Sequence, residues 1–282
     1  MSRRNIIPEK YQEIHEFLFA WHDILAHIVV KGDELHLQDA NFTIEETASA
    51  SEVISLEGEE LWEWLQSNGY EHITRELLQK QIYFAVLSDF CHFLYEALTC
   101  SERGKLTVCF ALLRKPFKDN LLLLEWLLAD PKDFMEKFTS DDSDNFAPDK
   151  IPVEKKLEII KNAETKAHTA LDQFRHIYDL RYNKKKHFGF EPVWNQAAHI
   201  VTSFKFYKTE SEHLNFVFSD YTAIEDQWEQ LYVSLPILIY HAVEVAITLL
   251  HRIYDDVDGL TGITKLERME QFLLVVDEIN NF

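Results

Sequence analysis

The chain has 282 residues, of which 46% are hydrophobic, 13% aromatic and 27% charged, a profile that excludes a disordered or fibrous protein and allows a full core. Seven glycines and seven prolines supply too little turn chemistry for an all-β protein, so the composition points to a mostly helical one. With 48 Asp+Glu against 28 Lys+Arg the net charge is −20, which repels nucleic acid and anionic membrane in general, so any polyanion must meet a local patch.

From Pro8 to about Val30, Ile14, Leu18, Trp21, Leu25 and Ile28 recur at spacings of three and four, writing one face of a long amphipathic helix. Residues 31–58 lose that period. There Leu35, Leu37, Phe42 and Ile44 alternate around Asp39-Ala40-Asn41, the pattern of a small hairpin. A short helix at 59–67 ends at Asn68-Gly69, and a long one runs from Tyr70 to about Cys100.

Leu106 to Leu128 is almost continuously apolar but carries Arg114-Lys115-Pro116-Phe117-Lys118-Asp119-Asn120 inside it. This predicts a central helix bent at Pro116, whose Arg114, Lys118 and Asp119 form a buried ion pair or line a pocket. Asp130-Pro131 reads as an N-cap and first helical residue of a short helix through Phe138. The Asp- and Pro-containing stretch 139–152 is the most linker-like in the chain. It divides an N-terminal helical region, 1–140, from a C-terminal one, 153–282, unless the two form one continuous domain.

Beyond it the pattern predicts a helix from about Val153 to Lys186 closed by Gly189, another opening at Pro192, and a long one capped by Asp220 and running to about Tyr254. Phe204 and Phe206, then Leu214, Phe216 and Phe218, alternate around Thr209–Glu212, a second expected hairpin. Gly259–Gly262 breaks the chain before a last amphipathic helix. The expected fold class is therefore all-α, a helical bundle with one or two small β-hairpin insertions.

Val233–Leu250 is the most membrane-like stretch, but Pro236, His241 and Glu244 inside it favour a buried helix over a span. Met1–Lys10 has no apolar run after its arginines, so a cytoplasmic protein is expected, with no membrane partner. Cys91, Cys100 and Cys109 lie among apolar neighbours without a CxxC pair and read as reduced thiols.

No phosphate-loop, dinucleotide-binding, GxSxG or HExxH motif is present, and the only Glu-x-x-His is Glu210/His213. Nucleotide-driven motors, dehydrogenases and di-metal bundles are disfavoured, and neither a cofactor nor a metal is expected. Charge is uneven, however. From Lys150 to His187 ten basic residues face five acidic ones, +5 inside a −20 chain. The window ends in Arg175, His176, Arg181, Asn183, Lys184, Lys185, Lys186 and His187, which could contact phosphate. Lysines before a C-cap glycine are equally what the helix dipole favours.

Arg181-x5-His187, with Asn183 between, resembles the Arg-x(4 to 6)-His motif of the HEPN superfamily, all-α proteins of which many are metal-independent ribonucleases in antiviral defence and toxin–antitoxin systems. The upstream stretches Ser101–Lys105 and Leu112–Asn120 are similar to segments of HEPN-like defence proteins. The residue after the motif arginine, often polar in that family, is Tyr182 here. The resemblance implies an RNA endonuclease with Arg181, His187 and Asn183 catalytic. Arg175, His176, Lys184, Lys185, Lys186 and Arg114 would hold substrate, and a homodimer would bring two motifs together. His187 would move protons near neutrality, and Arg181 would stabilise the phosphorane. On a regular helix the two side chains point about 120° apart, so the site requires a distorted helix end or a second subunit. The rival expectation is a non-catalytic helical module that recruits a protein partner or antitoxin.

Two stripes, His168/Asp172/His176/Asp179 and Asp89/His92/Glu96, have the spacing of metal ligands or of solvated, ion-paired helix faces. Trp62, Trp64 and Trp126 lie in apolar helical contexts explained by core packing, so no base-reading residue is assigned.

Overall fold

The structure, a computed structural model, describes residues 6–39, 53, 56–167, 173–216, 221–254 and 257–281. Its α-helices are α1 (Glu9–Glu34), α2 (Gly58–Ser67), α3 (Glu71–Glu102), α4 (Leu106–Lys115), α5 (Leu121–Ala129), α6 (Pro131–Phe138), α7 (Val153–Ala167), α8 (Phe174–Tyr182), α9 (Phe190–Ala198), α10 (Tyr221–Ile253) and α11 (Lys265–Asn280). The all-α expectation holds, and no strand occurs among the described residues.

The helices form where the apolar period predicts. The α1 stripe Ile14, Leu18, Trp21, Leu25 and Ile28 is wholly buried against α3 and α10. Gly69 adopts φ +87 after Asn68 and ends α2, while the Asp130 carboxylate accepts the Asp133 N–H at 3.0 Å and starts α6. α11 begins with a Thr264/Glu267 capping box. Helix α10 is long and apolar enough to cross a membrane, but 83% of its most apolar window is buried inside the fold. One cluster of buried residues joins elements on both sides of 141–152. In it Trp21 meets Tyr240 and Phe272, whose rings stack at 4.2 Å.

Pro116 lacks an N–H, and the central apolar segment passes through a π-helical turn at Pro116–Asn120 between α4 and α5. The carbonyls of Phe117 and Lys118 in that turn accept side-chain bonds from α8. At the far end of α5 the cations of Lys166 and Arg252 meet the last carbonyls, Leu128 O and Ala129 O.

Three expectations are corrected. The first hairpin is replaced, in its described part, by the turn that closes α1, where Leu35 and Leu37 donate to Lys31 O and Gly32 O; Phe42 and Ile44 lie outside the described residues. The second is an irregular loop, 199–216, in which side chains do the work of a strand ladder. Thr209 Oγ1 accepts the Thr202 N–H at 2.7 Å, Thr202 Oγ1 donates to Tyr207 O at 2.6 Å, and Asn215 Nδ2 donates to His199 O at 2.7 Å. Only two backbone bonds cross the loop, Thr209 N to Thr202 O and Asn215 N to Ile200 O. Phe216 packs on Phe110 of the core instead of facing a strand, and Phe218 lies outside the described residues, as does the Asp220 cap expected for α10.

The single helix expected from Val153 to Lys186 is in fact two, α7 and α8, with 168–172 outside the described residues. The buried Glu164 carboxylate accepts the Gln173 and Phe174 N–H groups at 2.7 and 2.8 Å. It thereby satisfies donors that a helix start leaves open. At the other end Asn183 is extended, and its side-chain oxygen accepts the Lys185 N–H at 3.0 Å, a local bond that stops α8 at Tyr182. Gly189 precedes α9 rather than closing α8. Glu164→Ala removes both bonds to a charged acceptor. We expect a loss of about 1.5–3 kcal/mol in urea unfolding; a change below about 0.5 kcal/mol would show that α8 starts without this cap.

Candidate functional site

The end of α8 meets the Leu112–Asn120 segment in space, and the meeting is made by Arg181 and Tyr182. The Arg181 guanidinium, 0% exposed, donates from Nε to Phe117 O at 2.6 Å, from one terminal nitrogen to both oxygens of Glu125 at 2.6 and 2.7 Å, and from the other to the Tyr182 hydroxyl at 3.1 Å. The Tyr182 hydroxyl in turn donates to Lys118 O at 2.7 Å. His241 of α10 places Nε2 2.7 Å from Glu125, and its Nδ1 is buried without a hydrogen-bond partner. Burial pushes the Glu125 carboxyl up, but Arg181 and His241 outweigh it and hold the acid below its ordinary value. Burial likewise opposes charge on Arg181, and Glu125 more than restores it.

Around this triad lies a second set of charges. Lys118 Nζ pairs with Glu191 at 2.6 Å, both largely buried. The Lys156 ammonium sits 5.0 Å from the Tyr182 ring centre, held below its ordinary pKa by burial and then by the cations Lys118 and Arg181. Arg114 is 4.0 Å from Asp119, whose carboxyl is raised by burial against the pull of Arg114, Lys118 and Arg181. The buried ion pair expected among Arg114, Lys118 and Asp119 is not what forms: Arg114 and Asp119 are 42% and 33% exposed, and the largely buried pair joins Lys118 to Glu191 instead.

The other motif residues lie elsewhere. His187 is exposed in the turn after α8, its ring edge-on to Phe188 at 4.3 Å. The Asn183 amide donates to Asp179 at 2.9 Å. Arg181 and His187 thus face opposite environments, interior and solvent, and the bonds of Arg181 go to Phe117, Glu125 and Tyr182. Lys184 and Lys185 are exposed, with ammonium groups 4.6 Å from the Phe204 ring and 4.3 Å from the Phe206 ring. Arg175 is exposed over Phe174, and His176 is half-buried, its imidazole held below its ordinary pKa by burial and then by the nearby Lys186 cation.

Of the two carboxylate–histidine stripes, His168 and Asp172 lie outside the described residues, and Asp89 is paired with Lys115 at 2.7 Å and with the Asn120 amide at 2.6 Å. Among the described residues no group of three or more His, Cys, Asp or Glu side chains is placed to hold a metal ion. Cys91 and Cys109 are buried and Cys100 is half-buried; burial pushes the Cys91 thiol up to about 12.

Glu125 and His241 are the residues that reading the motif missed. Each left a signal: Glu125 is the single charge in Leu121–Leu128, and His241 interrupts the apolar run of α10. A buried charge in such a run needs a partner. In comparison with known proteins, no family model, no curated protein and no solved structure matches the chain.

Proposed function

We propose that this chain is an RNA-engaging protein of the HEPN-like kind, presenting Lys184, Lys185, Lys186 and His187 to the phosphate backbone. Arg181 anchors that turn to the core instead of meeting the phosphate. The observation that carries the reading is the separation of the motif: Arg181 is sealed against Glu125 while Lys184, Lys185 and His187 stand in solvent and Lys186 is half-buried. Residues 180–190 contain no Asp or Glu, so the turn is a cationic spot on a chain of charge −20, the local patch that a polyanion requires. His187 is the exposed imidazole available for proton transfer there, and a lysine of 184–186 replaces Arg181 as the cation beside the phosphate. A cytoplasmic homodimer with a role in defence, restrained by a protein partner or antitoxin, belongs to the same reading.

End-labelled single-stranded RNA incubated in EDTA with wild type and His187→Ala tests the chemistry. Fragments with 2′,3′-cyclic phosphate ends from wild type alone place the step at His187. Binding tests the contact: in Lys184→Ala/Lys185→Ala the slope of log K against log salt should fall by about 1.4, the value for two lost phosphate contacts on a single strand. An unchanged slope would remove these lysines from the interface. Binding without cleavage favours the non-catalytic module, a reading that the burial of Arg181 specifically supports.

A further inference from the structure

We infer that Phe204 and Phe206 form a stacking platform for unpaired nucleobases beside the Lys184–His187 turn, making single-stranded RNA the substrate class; this rests on the reading of that turn as an RNA-contact face. They are the two exposed phenylalanines among the described residues, 38% and 48% accessible, in a chain with 20 phenylalanines. Their ring centres are 5.7 Å apart, and Tyr207 lies 5.0 Å from Phe204. The loop that carries them is held in place by the Thr202, Thr209 and Asn215 side-chain bonds, so the rings are presented by a pre-formed scaffold.

The charges around the rings favour a polyanion with exposed bases. Lys184 and Lys185 reach across from the neighbouring turn to within 4.6 and 4.3 Å of the two ring centres, and in sequence Lys205 lies between the two phenylalanines and Lys208 just beyond them. Residues 192–208 contain no Asp or Glu; Glu210 and Glu212 follow at the far end of the loop. Alternating cations and aromatic faces is the arrangement that binds single strands, phosphates going to the lysines and bases to the rings. A duplex hides its base faces and gains only from the lysines.

Fluorescence anisotropy with a labelled single-stranded oligouridine and a labelled RNA duplex of the same length, using wild type and Phe204→Ala/Phe206→Ala, separates the two contributions. Both rings lie on an exposed loop, so the variant should keep the wild-type circular dichroism spectrum. We expect wild type to prefer the single strand, and the variant to lose about tenfold or more in single-strand affinity with duplex binding and salt slope unchanged. Equal binding of oligouridine by variant and wild type, or equal binding of single strand and duplex by wild type, overturns the platform while leaving the lysine contact standing. A variant that binds RNA normally but elutes as a smaller species in size-exclusion chromatography assigns the rings to self-association and also overturns it. Absence of all RNA binding by wild type overturns the parent reading.

Discussion

Glu125→Met should destabilise the protein by about 3–5 kcal/mol, because it leaves the Arg181 guanidinium buried without its counter-charge. It also strips the His241 Nε2 of its acceptor. The companion variant Glu125→Met/Arg181→Met removes both charges and fills the space with flexible apolar side chains, and it should recover most of that loss. Urea unfolding of wild type, both single variants and the double variant gives the coupling directly. Additive losses would mean that the two groups do not depend on each other. The same pair sets a pH dependence. Since the folded-state pKa of Glu125 lies below its ordinary value of 4.5, its contribution is complete above the unfolded-state pKa and is lost as pH falls through the folded one. Urea midpoints measured from neutral to acid pH should therefore decline less steeply in the double variant than in wild type.

Trp194→Ala should cost about 3–5 kcal/mol, the usual range for emptying a buried indole site. Trp194 is 0% exposed on α9 and stacks on Phe190 at 5.3 Å with rings 15° apart. Its Nε1 is buried without a hydrogen-bond partner. Trp194→Phe keeps most of the aromatic volume and removes that unpaired donor, so it should cost far less than the alanine variant. Equal losses in the two would show that shape alone governs the site. Because α9 leads directly into the loop 199–216, the alanine variant should also weaken any binding at Phe204 and Phe206, whereas the phenylalanine variant should not.

The legible part of the fold was the part governed by local periodicity and capping. The α1 stripe, the Asn68-Gly69 stop, the Pro116 disturbance and the Asp130-Pro131 start are all short-range effects. A residue's neighbours three or four positions away suffice to decide them. The second hairpin failed because alternation of apolar residues over a few positions is also what an irregular loop produces: Phe204 and Phe206 both face solvent while Phe216 packs on the core. The continuous helix from Val153 to Lys186 failed because the Glu164 cap and the Asn183 turn compete locally with helical bonding, and propensity does not weigh such bonds.

The candidate site was legible as a charge pattern and illegible as a geometry. An all-α chain, a basic window ending at His187 in a strongly acidic protein, and isolated polar residues at Glu125 and His241 inside apolar runs are all legible in the amino-acid sequence alone. Where Arg181 points and what it meets are set by packing across the core. Its partners lie 64 and 56 residues away, on the π turn and α5, and spacing within a helix carries no information about a contact made across the core. The structure likewise decided that Lys184 and Lys185 reach Phe204 and Phe206, since the end of α8 and the loop after α9 are brought side by side by the packing of the helices that hold them.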